Sequence, residues 1–251
     1  MPYFYHDGLR LFFRENGRGP LLLILPGNTA SSAHHVADLE YFGQHYHAVA
    51  LDFAGTGQSD RVAVWPIDWW VQGAHAEAAL IERMGEERSL VIGTSGGGFS
   101  ALHLAIQHPD RVRAVIADSC IEHWPPEAIR AAVATRDARL PGQIEFWRSG
   151  HGDDWVQVVA ADSDMLLRFA DTGGDVFAGR LSEIQCPVLI TASRRDDALV
   201  EVEAQVKHMA EQIRGAKFYL ANDGAHPFMW SRSEEFRRMA DEFLKDVSGA
   251  A

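Results

Sequence analysis

One short stretch of the sequence has the composition expected around a reactive serine. Gly93-Thr94-Ser95-Gly96-Gly97 follows the apolar run Leu90-Val91-Ile92 and precedes a segment rich in helix-forming residues. A serine at a sharp turn from strand to helix exposes its hydroxyl above the edge of a sheet, and glycines two residues before and after it relieve the crowding of that turn. We therefore predict that Ser95 is a nucleophile. The alternative is a glycine-rich turn in which Ser95 only caps the following helix.

A serine hydroxyl needs a base to take its proton, and an imidazole base needs an acceptor that fixes its tautomer. Among the twelve histidines, His226 stands out because it lies between the last strand-like segment and the last helical segment. The loop after the preceding strand-like segment contains two adjacent carboxylates, Asp196 and Asp197. Either of them is a candidate acceptor. Ion pairing with the neighbouring Arg194 and Arg195 is the alternative for both.

Apolar runs and amphipathic segments alternate along most of the chain. A hairpin with strands at 3–5 and 9–13 opens it, and the apolar run at 21–25 is typical of a strand buried on both faces. Further strands are predicted at 47–53, 89–94, 112–118, 187–192 and 216–221. Helices are predicted at 33–44, 70–84, 97–107, 200–213 and 233–247. This alternation predicts an α/β fold with a doubly wound, mostly parallel sheet.

The alternation stops between residues 121 and 181. Pro125-Pro126, Pro141-Gly142 and Gly173-Gly174 interrupt this stretch, which contains helical segments such as 127–135 and 155–170. Because a connection of this length without its own structure is uncommon in a compact domain, we predict a helical insertion above the sheet. The chain is thus divided into a core domain of residues 1–120 and 182–251 and an insertion of residues 121–181.

Together these features resemble the α/β-hydrolase-fold serine hydrolases over nearly the whole chain. Beside the serine turn, the resemblance rests on Leu25-Pro26-Gly27-Asn28-Thr29, which is similar to the family's oxyanion loop, and on the Asp-x-x-Gly-x-Gly-x-Ser segment at 52–59. Pro26 stands where the family more often has histidine, and Gly224-Ala225-His226 has one residue more than the family's Gly-His. The family's Gly-x-x-Asp pattern falls on Asp196 and its Asp-Pro-Leu-Val pattern on Asp197, so Asp196 is preferred and Asp197 stays the alternative.

The resemblance implies an α/β-hydrolase fold in which the insertion is a helical lid. It also implies a hydrolase without metal or cofactor that cleaves an ester, a lactone or a similar small acyl substrate through an acyl-enzyme on Ser95. The catalytic triad is then Ser95, His226 and Asp196, with the backbone N–H groups of Asn28 and Gly96 forming the oxyanion hole. Aromatic lid residues are candidates for the wall of a substrate pocket, or else they only attach the lid to the sheet: Trp124, Phe146, Trp147 and Trp155.

The same triad also serves other functions, so the fold does not choose among them. Within enzymes, the alternatives are an aminopeptidase, a carbon–carbon-bond hydrolase and a cofactor-free perhydrolase; outside them, the alternative is a non-catalytic ligand receptor. An aminopeptidase would bind the substrate ammonium with acidic lid residues. We expect the lid carboxylates instead to be solvated faces and caps of helices: Asp153, Asp154, Asp162, Asp164, Asp171 and Asp175.

Composition and missing motifs exclude further classes of function. A formal net charge of −12, from 35 acidic and 23 basic residues, disfavours binding to nucleic acid or to an anionic membrane. No phosphate-binding loop, His-Glu-x-x-His motif or paired Cys-x-x-Cys motif is present, so neither a nucleotide site nor a zinc site is predicted. Cys120 and Cys186 are expected to be buried free thiols in a cytoplasmic protein. No signal peptide is visible, and nothing in the sequence defines the oligomeric state.

Overall fold

The computed structural model of the protein describes residues 2–248, which contain an eight-stranded sheet. The strands are β1 (Tyr3–His6), β2 (Leu9–Asn16), β3 (Leu21–Leu25), β4 (His47–Leu51), β5 (Ser89–Thr94), β6 (Val112–Asp118), β7 (Val188–Ser193) and β8 (Lys217–Ala221). Their order is β1-β2-β4-β3-β5-β6-β7-β8. The pairs β1–β2 and β2–β4 are antiparallel, and all other neighbours are parallel. The predicted α/β fold with a mostly parallel sheet is confirmed.

Helices connect the strands and cover both faces of the sheet. They are α1 (Val36–Phe42), α2 (Trp69–Arg83), α3 (Gly96–Gln107), α4 (Pro126–Thr135), α5 (Pro141–His151), α6 (Trp155–Ala170), α7 (Val202–Gln212), α8 (Phe228–Ser231) and α9 (Ser233–Ser248). Short 3₁₀ helices lie at Ser32–His35, Pro109–Arg111, Arg136–Ala138 and Leu181–Glu183.

The strand β3 shows why the chain folds in layers. All five of its residues are buried. Its odd-numbered residues belong to the same apolar cluster as Trp70 of α2 and Phe99 of α3, and its even-numbered residues to the same cluster as Phe42 of α1 and Phe236 of α9. A strand that is apolar on both faces needs helices on both sides, and the parallel crossovers supply them. As a result, the carboxyl ends of β3 to β8 meet at one edge of the sheet.

The predicted helix at 33–44 is shorter than expected and begins with a 3₁₀ turn. Ser31 Oγ accepts a hydrogen bond from the N–H of Ala33, and Nδ1 of His34 accepts one from the N–H of Ser31. This reciprocal cap fixes Ser32–His35 as a 3₁₀ helix, and the α-helix α1 starts only at Val36. It ends at Phe42, where Gly43 follows.

The helix α5 is not predicted, because Pro141-Gly142 has the composition of a break. In the structure Pro141 is the first residue of α5, a position where the missing N–H of proline costs no hydrogen bond. The side chain of Gln143 closes the turn by accepting a hydrogen bond from the N–H of Leu140 at 2.9 Å. Proline therefore begins a helix here and does not interrupt one.

The insertion contains α4, α5 and α6 between β6 and β7. Met165 and Leu166 of α6 are fully buried in the main core, whereas Trp147, Trp155 and Val159 form a small apolar cluster of their own. The two cysteines are free thiols, with Cys120 buried as expected and Cys186 only partly buried. Within residues 2–248, no helix has both the length and the apolar character that a membrane crossing requires.

Candidate active site

Ser95 lies at the turn between β5 and α3, with a backbone φ of 54° and ψ of −123°. A positive φ is strained for a residue with a Cβ atom and persists because the surrounding packing holds it. The turn leaves no room for neighbouring side chains: a Cβ atom at Gly93 would lie 2.1 Å from the carbonyl oxygen of Gly97, and one at Gly97 would lie 2.1 Å from that of Leu25. The backbone thus has the geometry of a nucleophile elbow.

The imidazole of His226 lies within hydrogen-bond distance of Ser95, with 2.9 Å between Nε2 and Oγ. His226 precedes α8, whose first two N–H groups are bound at the end of β6. The N–H of Phe228 donates to Ser119 Oγ at 2.8 Å, and the N–H of Met229 donates to Asp118 Oδ2 at 3.0 Å. The histidine loop is therefore attached to the strand next to the one that carries Ser95.

The structure distinguishes the two candidate carboxylates. Asp196 lies 2.9 and 3.1 Å from Nδ1 of His226 through its two oxygens, and its side chain is fully buried. Its Oδ1 also accepts the N–H groups of Ala198 and Leu199, both at 3.0 Å. Asp197 instead accepts the backbone N–H of His226 at 2.9 Å. Asp196 orients the ring, and Asp197 holds the backbone that carries it.

The neighbouring arginines do not pair with either carboxylate. Arg194 forms its ion pair with Glu203 at 2.9 Å, and Arg195 lies 3.8 Å from Asp223. Simple ion pairing, the alternative considered for Asp196 and Asp197, is therefore not the arrangement in the structure.

The two contacts of the imidazole define its tautomer. The Ser95 hydroxyl donates a hydrogen bond to Nε2, so the neutral ring carries its proton on Nδ1 and donates a hydrogen bond from there to Asp196.

The backbones of Asn28 and Gly96 lie side by side next to Ser95. A Cβ atom at Gly96 would lie 3.0 Å from the amide nitrogen of Asn28, and one at Gly27 would lie 3.5 Å from Ser95 Oγ. Gly96 is the first residue of α3, where an N–H group has no acceptor within the helix. Neither amide donates a hydrogen bond to another group among residues 2–248. Both are thus available to a ligand bound at Ser95.

The side chain of Asn28 is held by residues that sequence reasoning did not connect with the site. Its amide oxygen accepts the indole N–H of Trp70 at 3.1 Å, and its amide nitrogen donates to Asp162 Oδ1 at 2.5 Å. The other oxygen of Asp162 accepts a hydrogen bond from Arg136 at 2.6 Å. Trp70 belongs to the core and Asp162 and Arg136 to the insertion, so both parts of the chain fix the loop that contains Asn28.

The expectation that Asp162 is solvated is wrong, since its side chain is fully buried. Asp162 is buried because its spacing along α6 places it on the same face of the helix as the buried residues Val158, Met165 and Phe169. The pairing with Arg136 compensates for the desolvation of its charge. The other lid carboxylates differ, with Asp154 half-buried in an ion pair with Arg61 and the rest exposed: Asp153, Asp164, Asp171 and Asp175.

A second set of contacts joins α5 to the oxyanion loop. Nδ1 of His151 accepts the N–H of Gly57 at 2.9 Å, so its Nε2 carries a proton and donates it to the carbonyl oxygen of Thr29, also at 2.9 Å. The hydroxyl of Ser31 donates to the carbonyl oxygen of Gly150 at 2.9 Å. Burial lowers the pKa of His151 from 6.5 to about 4, because a charged ring would lose its hydration there.

The aromatic residues predicted to form the wall of a substrate pocket lie in the insertion. They contact one another or residues of the core domain. Trp147 and Trp155 stack with a centroid distance of 5.4 Å, and the indole N–H of Trp147 donates to Thr29 Oγ1 at 3.3 Å. Phe146 stacks on His34 at 4.0 Å, and the ring of Trp124 lies 6.4 Å from that of Phe99. Their contacts attach the insertion to the core, and a role in substrate binding stays a prediction.

Comparison with known proteins agrees with this architecture. The model of the α/β-hydrolase fold family matches residues 20–156. The chain is 28% identical to the putative carbamate hydrolase RutD of Pseudomonas syringae over 252 residues, which cover 92% of this chain and 95% of that protein. It is 25% identical to a 2-hydroxy-6-oxononadienedioate/2-hydroxy-6-oxononatrienedioate hydrolase of Burkholderia vietnamiensis, with 94% and 91% covered. The enol-lactonase structure from Burkholderia xenovorans LB400 matches with a TM-score of 0.78 at 19% identity, covering 97% of this chain and 100% of that one.

The family match covers more than half of the chain, so the protein belongs to the α/β-hydrolase-fold family. The relatives named above are hydrolases that align over nearly their whole length. The prediction of a hydrolytic enzyme with this fold is confirmed.

The neutral form of His151 makes the stability of the protein dependent on pH. The unfolded chain binds a proton at this ring below about pH 6.5, whereas the folded chain does so only near pH 4. The contribution of His151 to the free energy of unfolding is therefore present above pH 6.5 and falls by about 3 kcal/mol as the pH drops to 4. We expect His151→Gln to remove this slope, so that wild type and variant differ most at pH 7 and least at pH 4.

Urea denaturation at a series of pH values measures this difference. Substitution of the exposed His45 by Gln is the control and keeps the wild-type slope. Parallel curves for wild type and His151→Gln across pH 4 to 7 would show that the buried ring is not held neutral by the fold.

Proposed function

We propose that the protein is a serine hydrolase that cleaves an ester, a lactone or a similar small acyl substrate through an acyl-enzyme on Ser95. The observation that carries this proposal is the continuous chain of hydrogen bonds from Ser95 through His226 to Asp196. Two free amides beside the hydroxyl, of Asn28 and Gly96, support it. Carboxylate, imidazole and hydroxyl in this order are the arrangement that activates a serine toward a carbonyl carbon.

The first half of the reaction follows from these contacts. Ser95 Oγ attacks the carbonyl carbon of the substrate while its proton passes to Nε2 of His226. The carbonyl oxygen becomes an oxyanion and accepts hydrogen bonds from the amides of Asn28 and Gly96, each of which contributes about 10²–10³ in rate. When the tetrahedral intermediate collapses, the leaving group departs with the proton from Nε2. The acyl group stays on Ser95.

The second half repeats the chemistry with water. His226 takes a proton from a water molecule, whose oxygen attacks the acyl carbon, and the acid is released as the proton returns to Ser95 Oγ. In both halves the ring becomes an imidazolium, and the buried carboxylate of Asp196 stabilises that charge while it keeps the ring in orientation. The N–H groups of Ala198 and Leu199 hold the carboxylate in place.

The proposal of an acyl substrate of modest size rests on the position of the insertion. The helices α4 to α6 lie between β6 and β7, and Asp162 of α6 contacts the oxyanion loop directly. A substrate at Ser95 is thus covered on one side by this insertion, as a lid covers a pocket. The proteins named above are a putative carbamate hydrolase, a 2-hydroxy-6-oxononadienedioate/2-hydroxy-6-oxononatrienedioate hydrolase and an enol-lactonase. We propose that an ester or lactone is the better substrate here, because its cleavage needs nothing beyond the triad and the oxyanion hole.

Replacement of the nucleophile tests the proposal most simply. We expect Ser95→Ala to lower the turnover of a short p-nitrophenyl ester by roughly 10⁴-fold or more, because the hydroxyl that forms the acyl intermediate is removed. The control is Ser89→Ala, which removes a buried serine at the other end of β5. Steady-state rates on a nitrophenyl ester, a γ-lactone and an aryl carbamate, measured for both variants, also rank the substrate classes. Full activity in Ser95→Ala would refute the proposal.

The two adjacent carboxylates provide a matched pair of variants. Asp196→Asn keeps the shape of the side chain but offers the ring an amide, and we expect kcat to fall by about 10⁴-fold because the tautomer required at His226 is lost. Asp197→Asn can still accept the N–H of His226 through its amide oxygen, so we expect a loss of less than about tenfold. Equal losses in the two variants would contradict the assignment of Asp196 to the ring.

A further inference from the structure

A buried carboxylate that the reaction does not use binds all three segments that carry the triad. Asp118, the last residue of β6, is fully buried. Its Oδ2 accepts the hydroxyl of Thr94, the residue before Ser95, at 3.0 Å, and the N–H of Met229, three residues after His226, also at 3.0 Å. Its Oδ1 accepts the hydroxyl of Thr191, on the strand that leads to Asp196, at 2.7 Å.

The backbone around Asp118 repeats these connections. The carbonyl oxygen of Asp118 accepts the N–H of Ser95 at 2.8 Å. The N–H of Ser119 donates to the carbonyl oxygen of Thr191 at 2.7 Å, and its hydroxyl accepts the N–H of Phe228 at 2.8 Å. Two successive residues at the end of β6 are thus bonded to the nucleophile, base and acid segments alike.

Asp118 does not act as a second acid toward the imidazole. Three donors other than the ring occupy its two oxygens, while Nδ1 of His226 is bonded to both oxygens of Asp196. Apart from the electrostatic attraction between its charge and His226, Asp118 therefore influences the reaction through the segments that it holds.

We propose, on the basis of the function proposed above, that Asp118 is the positioning residue that keeps Ser95, His226 and Asp196 at reacting distance from one another. Catalytic groups need to be held within about 0.5 Å of their productive geometry, and a displacement of 1 Å costs about 100-fold in rate. The three triad residues come from three loops, and the histidine loop has its first helical turn fixed at β6. Loss of the carboxylate removes one of the two hydrogen bonds that fix this turn to β6 and leaves only the one to Ser119 Oγ.

The chemistry of the position requires a group that only accepts hydrogen bonds. An ionised carboxylate offers acceptor sites on two oxygens, which matches two hydroxyl donors and one N–H donor. Burial raises the pKa of Asp118 to about 6, and the hydrogen bonds from Thr191, Met229 and Thr94 oppose this rise. The three donors and the nearby His226 thus favour the ionised form, which can bind all three segments.

Removal of the carboxylate tests this role. We expect Asp118→Ala to lower kcat by about 100-fold with KM changed less than about twofold, since the misplaced groups act on bound substrate. Asp118→Asn is expected to restore part of the activity, because its amide oxygen can still accept the N–H of Met229 while its NH₂ group donates to Thr191 Oγ1. The rate at which a fluorophosphonate labels Ser95 is expected to fall in the same order as kcat.

A milder variant keeps the test informative if Asp118→Ala does not fold. Thr191→Val removes only one of the three donors, and we expect a loss of about tenfold in kcat and in labelling rate. The matched control is Thr56→Val, which removes a buried hydroxyl bonded to the carbonyl oxygen of Phe53 at 2.9 Å. It is expected to lower stability to a similar degree and to leave kcat unchanged.

The outcomes separate this inference from the proposed function. If the wild type is labelled at Ser95, and Thr191→Val loses stability but keeps the wild-type kcat and labelling rate while folded, Asp118 is only a structural residue and the inference is wrong. If the wild type itself is neither labelled at Ser95 nor active on acyl substrates, the proposed function fails first. A fall in kcat and labelling rate for Thr191→Val but not for Thr56→Val supports the inference.

Discussion

One hydrogen bond, from Ser95 Oγ to His226 Nε2, joins side chains that are 131 positions apart in the chain, and the contacts of their two segments with the sheet maintain it. The parallel sheet brings the ends of β5 and β8 to the same edge, but β6 and β7 lie between these two strands. The turn at Ser95 and the loop between β8 and α8, which contains His226, cover the remaining distance. The N–H of Ser95 and the first turn of α8 are both hydrogen-bonded to the end of β6, the neighbour of β5, so one strand holds the segments of Ser95 and His226 in place.

The side of the site that contains Asn28 depends on a different set of interactions. Asn28 lies in a loop after β3, and loops of this kind are mobile unless buried groups bind them. Here an indole of the core and a buried carboxylate of the insertion hold its side chain, and a neutral histidine of the insertion binds the carbonyl of the next residue. The geometry at the amide of Asn28 is therefore linked to the position of the insertion, whereas the contact of Ser95 with His226 is linked to the sheet.

The sequence predicts those parts of the structure that local pattern determines. The strand at Leu21–Leu25 and the turn around Ser95 follow from apolar runs and glycine spacing, and His226 from its place after the last strand. Which of Asp196 and Asp197 contacts the ring depends on the direction in which the imidazole of His226 points. The identity of two adjacent aspartates does not reveal this direction. The role of Asp162 arises from a contact between positions 28 and 162, and only its place on the buried face of α6 gives a sign of it. The helix α5 is missed for the opposite reason. A proline followed by glycine is typical of a break between elements, but here Pro141 is the first residue of a helix.

The central claim is that Ser95 carries the acyl group during turnover, and mass spectrometry of the acid-quenched enzyme tests it directly. The enzyme is mixed with p-nitrophenyl acetate, quenched at a series of times and digested, and the acetylated peptide is identified. The structure leads us to expect an acetyl group on the peptide that contains Ser95, appearing during turnover and lost once the substrate is consumed. An acetyl group on another residue, or steady hydrolysis with none on Ser95 at any quench time, would contradict the account.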